Sequence, residues 1–195
     1  MHGLINRAIQ GFVSNSYGDD KWLEVTRAAD MDFVEFEAML TYDDALTSVV
    51  LDAVAKVLDR PRYDVMEDIG TYLVSNPKVE GLRRLLRFGG ENFVEFLHSL
   101  DELPERARLA VSDLDMPRIE LHEHSASALS LHCESTIDGY GYVLMGVLRA
   151  MADDYGVLAL LEHSGGGSGN EVVSITLVET DFAAGRSFEL GAGNL

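Results

Sequence analysis

Apolar positions recur at helical spacing through the first hundred residues. Leu4, Ile5, Ala8, Ile9, Phe12 and Val13 line one face of an opening helix, and the stretch Asn15 to Asp19 turns the chain. Asp19 or Asp20 caps a second helix carrying Trp22, Leu23 and Val25. Phe33, Phe36 and Met39 share a face of a predicted third helix, and Asp43 to Leu58 is long and amphipathic. Pro61 suits the first turn of the next helix, and Asn76-Pro77 is a cap followed by proline at the first helical position. Gly89-Gly90 ends the helix that carries Leu82, Leu85 and Leu86. A further helix runs from about Asn92 toward Leu109, with Pro104 inside it or at a break.

After Pro117 the period changes from helical to two. Ile119, Leu121, Leu129, Leu131 and Cys133 alternate with Glu120, His122, Ser130, His132 and Glu134, which predicts a half-buried antiparallel hairpin. Asp138 is a candidate cap for a helix through Tyr142, Val143, Val147 and Met151. Val157–Leu161 and Val172–Val178 flank a glycine-rich turn and predict a second hairpin. The expected fold class is α+β: a helical subdomain over about 1–88 packed on a mixed subdomain over about 89–182. Four antiparallel strands are expected near 118–124, 128–136, 157–163 and 171–181. Residues 183–195 turn small and polar and read as a flexible tail.

Composition narrows the function. Of 195 residues, 47% are apolar, enough for a core; 15 Lys and Arg face 33 Asp and Glu, a net charge of -18. No basic stripe is present, so nucleic acid and anionic membrane surfaces are not expected partners. One cysteine, Cys133, precludes an internal disulfide or a multi-cysteine zinc site and fits a reducing cytoplasm. No run approaches the ~20 apolar residues of a membrane helix, and the first residues lack a signal-peptide pattern. Glu120, His122 and His132 fall on the polar face of the first hairpin, where a solvated face is expected rather than a divalent metal. The run 165–170 lacks the Gly-Lys-Ser/Thr of a phosphate loop, and Ser135 sits in no nucleophile motif. The parity of Cys133 places its thiol inward and inert. No catalytic constellation emerges, so an enzyme is not expected.

Several segments resemble a known family. Met1-His2-Gly3-Leu4-Ile5-Asn6-Arg7-Ala8-Ile9-Gln10, followed by Tyr17-Gly18-Asp19-Asp20-Lys21-Trp22, is similar to the start of the H-NOX domains. These are heme nitric-oxide/oxygen-binding domains related to the heme domain of soluble guanylate cyclase. Gly89 to Leu97 and Leu100-Asp101-Glu102-Leu103 resemble the approach to the family's iron-ligating histidine, and Leu129-Ser130-Leu131-His132 leads into its Tyr-x-Ser-x-Arg motif. The resemblance covers about residues 1–182.

By that resemblance the heme-pocket positions are Ile5, Pro104, Pro117, Cys133, Ser135, Ile137 and Tyr142, and the implied cofactor is heme b. Two of the family's contacts are altered. Pro104 stands where the family has its axial histidine, and proline has no ring nitrogen to bind iron. His98 lies six residues earlier, about 120° round a helix, so it does not replace the ligand. Cys133, Ser135 and Ile137 occupy the three positions of the propionate-holding motif, and Ile137 cannot offer the forked clasp of arginine. The expectation is therefore a signalling module of the gas-sensing type with weak or lost heme binding. The alternative is a heme-independent binder of an apolar small ligand in the vacated pocket. The partners the resemblance implies are a histidine kinase, a nucleotide cyclase or a cyclic-dinucleotide enzyme.

Overall fold

The computed structural model describes residues 1–114, 116–165 and 169–178. Four helices open the chain: α1 Gly3–Tyr17, α2 Asp19–Ala28, α3 Asp44–Leu58 and α4 Arg62–Ser75. A 3-10 turn at Pro77–Val79 leads into α5 Glu80–Arg87 and α6 Phe93–His98. A second 3-10 turn, Ser99–Glu102, precedes α7 Leu103–Ala110. Then come β1 Arg118–Ser125, β2 Ala128–Glu134, α8 Tyr140–Tyr155, β3 Ala159–Gly165 and β4 Asn170–Leu177.

Two departures from the sequence pattern have clear physical causes. No helix forms over 31–42. Phe33, Phe36 and Tyr42 instead gather as an aromatic cluster with ring centroids 4.9–5.8 Å apart, and Phe36 is buried. Helical spacing of two phenylalanines is equally served by an irregular segment that folds onto one hydrophobic site. The single helix expected from Asn92 to Leu109 is broken into α6, a 3-10 turn and α7. Pro104 sits in the first turn of α7, where a missing N–H costs nothing. The expected tail lies outside the described residues.

The four strands pair antiparallel in the order β1-β2-β4-β3. Ile119, Leu129, Leu131, Cys133, Val173 and Ile175 are buried on one face, against α8. This is the α+β architecture of the period change. The buried side chains form two cores. One gathers α1–α4 around Phe12, Trp22, Phe36 and Val54, and the other gathers α5–α8 and the sheet around Phe96, Leu131, Leu148 and Met151. They meet where α4 crosses α8. Gly70 and Gly146 make that crossing tight: a methyl on Gly70 would overlap the Val143 carbonyl, and one on Gly146 the Glu67 carbonyl.

Candidate functional site

A cavity of about 420 Å³ lies between the two cores. The same helical periodicity that predicted α1 puts Leu4, Ile5, Ala8 and Ile9 on its wall. Met66, Ile69 and Leu73 of α4 and Val143, Leu144, Val147 and Leu148 of α8 add two more walls. Leu100, Leu103, Ala107, Val111, Leu114 and Met116 close the side next to β1. The volume falls within the range of small-molecule pockets. The lining is aliphatic apart from the thioethers of Met66 and Met116 and the phenol of Tyr140. Burial, with a smaller contribution from Cys133, raises the Tyr140 pKa, so the phenol keeps its proton.

The seven family-derived positions divide. Ile5 and Ile137 line the cavity. Pro117 and Ser135 line an adjoining, more polar pocket of about 290 Å³, which shares Ile5, Met116, Ile137 and Tyr140 with the cavity. Pro104, Cys133 and Tyr142 are not in the cavity lining. On α7 the inward face belongs to Leu103 and Ala107, four residues apart, and Pro104 is only half-buried beside it. Cys133 is on the inner sheet face, where burial and the nearby Glu171 carboxylate push its thiol pKa up to about 12. Tyr142 is stacked between Tyr63, 4.7 Å away, and His163, 4.1 Å away. His98 is exposed, with Nε2 3.5 Å from Glu123.

Heme as the resembled family holds it needs an imidazole at the iron and a cation at the propionates. Among the described residues no histidine, cysteine, lysine or arginine lines the cavity, and Ile137 is part of its wall. The described lining therefore presents neither an imidazole nor a cation to the space it encloses. On the outer sheet face, the His122 and His132 rings lie with centroids 4.2 Å apart, tilted by 31°, and Ser130 Oγ lies 2.8 Å from His124 Nε2 and 3.1 Å from His132 Nε2. Among the described residues no group of His, Cys, Asp or Glu is arranged to hold a metal ion.

One polar constellation was not singled out from the sequence. Glu171 is 1% exposed, yet no lysine or arginine pairs with it among the described residues. Its two oxygens accept the backbone N–H groups of Gly139, at 2.8 Å, and Gly141, at 2.9 Å, and His163 Nε2 lies 2.7 Å from Oε2. The carboxylate thus sits on the N-terminal end of α8, where free amides and the helix dipole favour negative charge. Gly139 has φ +86°, and a side chain there would strike the Tyr63 ring. Tyr63 in turn donates to Asp138 at 2.9 Å. The knot ties α4, α8, β3 and β4 together. A signal existed: Glu171 shares strand parity with Val173 and Ile175, and His163 with Leu161, so both point inward.

Comparison with known proteins agrees with this architecture. Two solved structures superpose over nearly the whole chain. The Fe(II) unliganded H-NOX protein from K. algicida has a TM-score of 0.79 at 15% identity, covering 92% of this chain and 97% of that one. The H-NOX protein from S. oneidensis in its Fe(II)NO ligation state has a TM-score of 0.76 at 15% identity, covering 92% and 100%. These likenesses show the fold. Among curated relatives, soluble guanylate cyclase gcy-31 of Caenorhabditis elegans is 26% identical over 154 residues, covering 79% of this chain and 22% of the cyclase. Guanylate cyclase soluble subunit beta-2 of Rattus norvegicus is 29% identical over 91 residues, covering 47% and 13%. The chain therefore spans about a fifth of the length of the first of these relatives. A family model described as Haem-NO-binding matches residues 2–162, and with that match over most of its length the chain belongs to the Haem-NO-binding (HNOB) family.

Proposed function

We propose that this chain is a sensor module that relays occupancy of its apolar cavity to a partner protein. Its occupant is an apolar small molecule held without a histidine–iron bond. The observation that carries the reading is the wall itself: aliphatic but for the Met66 and Met116 thioethers and the Tyr140 phenol, with Leu103 rather than a ligating group presented by α7. Such a wall rewards burial of apolar surface at roughly 25 cal/mol per Å² and gives a charged or strongly polar ligand nothing to bond. Weak residual heme binding is the second reading, and the thioethers of Met66 and Met116 favour it as soft donors that line the space. Neither reading uses catalysis by this chain. The cyclase relatives support a nucleotide cyclase as partner; a histidine kinase or a cyclic-dinucleotide enzyme fits the same role. The core of α1–α4 shifting against the core of α5–α8 and the sheet is the motion that would report occupancy, since the cavity wall comes from both.

The test is heme content and apolar-probe binding in the same preparations. Protein expressed with ample heme should retain well under one equivalent, while the neutral fluorophore N-phenyl-1-naphthylamine should bind and be displaced by small hydrocarbons. Leu103→His, which aims an imidazole into the cavity, should raise heme retention several-fold, and Pro104→His should do less. Stoichiometric heme in the unaltered chain would overturn the reading.

A further inference from the structure

The segment between α2 and α3 is irregular, yet it is pinned along its length. Trp22 Nε1 donates to the Val34 carbonyl at 2.6 Å, and the Gln10 side chain accepts from the Phe36 amide at 3.1 Å. The Gly3 amide donates to the Leu40 carbonyl at 2.7 Å, and the Tyr42 hydroxyl accepts from the Glu37 amide at 2.8 Å. A side chain on Gly3 would overlap the Glu37 carbonyl, so the segment lies hard against α1. Long loops held this firmly in compact domains tend to serve binding.

What the segment displays is unusual for a solvated loop. Met39 is 68% exposed, Leu40 53% and Val34 48%. Single exposed apolar residues are ordinary, but Met39 and Leu40 are adjacent in sequence and Val34 lies five positions before Met39 on the same pinned segment. Along the segment itself the charge has one sign; from outside it, Arg7 Nη1 reaches the Phe36 carbonyl at 3.5 Å and the N-terminal ammonium reaches the Tyr42 carbonyl at 2.6 Å. No lysine or arginine occurs between Arg27 and Lys56, whereas seven acidic residues do. Asp43 caps α3, Asp44 holds the N-terminal ammonium and Asp52 pairs with Arg62. Asp30, Asp32, Glu35 and Glu37 are exposed, and their carboxylates have no partner among the described residues. Charges left uncompensated beside exposed apolar side chains match one kind of surface. Long cationic side chains would lay their methylene stems on Met39 and Leu40 and carry their heads to the carboxylates.

We propose that this segment is the docking site for a Lys/Arg-rich amphipathic helix of a partner protein. A second copy of this chain would bring the same acidic segment against it, and an anionic bilayer would be repelled, so charge selects the basic helix over both. The proposal stands on the patch alone and does not need the cavity to be occupied. The same helix nevertheless serves both: α1 holds the segment through Gly3 and Gln10 and lines the cavity with Leu4, Ile5, Ala8 and Ile9.

The test uses the full chain and synthetic peptides of about 18 residues, long enough to form a helix on the surface. The peptides are a Leu/Lys amphipathic helix, a Ser/Lys peptide of equal charge and a Leu/Glu peptide. Binding is measured by calorimetry, and the site by amide chemical-shift mapping. The Leu/Lys peptide should bind tightest and shift amides of residues 30–44 first. Met39→Ser with Leu40→Ser should weaken it about tenfold, the loss expected from two half-exposed apolar side chains. Leu158→Ser with Leu160→Ser removes two leucines that are 60% and 57% exposed near the β3 edge, and should change binding less than twofold. Glu35→Gln with Glu37→Gln should weaken binding and flatten its salt dependence. Equal affinity for the Ser/Lys peptide, equal loss from both leucine-bearing pairs, or shifts mapping to acidic surfaces elsewhere would reduce the effect to the overall charge and overturn the proposal. So would self-association or binding to anionic vesicles through the same amides. All replaced side chains are exposed, and unchanged thermal melts would confirm that the fold is not the variable.

Discussion

The two regions that α8 touches follow opposite rules. At its N-terminal end the buried Glu171 is bonded on every side, by two backbone amides and an imidazole. Along its flank, Val143, Leu144, Val147 and Leu148 face an aliphatic cavity with almost nothing to bond. A satisfied polar knot is unforgiving, because removing one member leaves the others desolvated and unpaired. An apolar wall is permissive, because any ligand or side chain of suitable volume can cover it. One helix thus has a fixed end, which sets its register against the sheet and α4, and a flank able to respond to what fills the space.

Breaking the knot should have the largest effect. Glu171→Ala strands the Gly139 and Gly141 amides and His163, and should cost about 3 kcal/mol or more in chemical denaturation. Glu171→Gln keeps one acceptor oxygen and should cost less. A loss under about 1 kcal/mol in the alanine variant would mean that water replaces the carboxylate and that the end of α8 is not fixed by it.

Filling the cavity should act more gently and with the opposite sign. Ala107 lines the space from α7, and Ala107→Leu should stabilise the protein by up to about 1 kcal/mol while abolishing probe binding. Destabilisation by roughly 1–3 kcal/mol would instead indicate overpacking of a wall with no slack. The contrast between the two regions would then fail.

The smallest effect concerns Cys133, which lies on the inner sheet face near Glu171. Its thiol pKa is raised from 9.0 to about 12, chiefly by burial. The folded state holds the proton more tightly than the unfolded one, so this contribution to stability is complete below about pH 9 and is lost as pH rises toward 12. Native protein at about pH 8 should react with a thiol reagent far more slowly than denatured protein. Comparable rates would show that the inner sheet face opens readily.

Much of this was written in the order of residues. The change from helical to alternating period after Pro117 dictated helices followed by a sheet, because a strand can bury one face only if apolar residues alternate. The opening segment and the stretch leading to Leu103 carried the family likeness, which the family match over residues 2–162 bears out. Strand parity aimed Cys133 inward, and the structure buries it on the inner sheet face.

Tertiary structure alone decided the rest. Spacing could not distinguish a helix at Phe33 and Phe36 from a loop folded onto Trp22 and Tyr42, since both bury the same rings. Alignment could not reveal that a break before α7 hands the inward face to Leu103 and Ala107, because the phase of a short helix depends on the turn that precedes it. Nor could the sequence show that Glu171 meets the amides of Gly139 and Gly141. A backbone N–H carries no residue signature, and only the packing of β4 against the start of α8 brings those donors to the carboxylate.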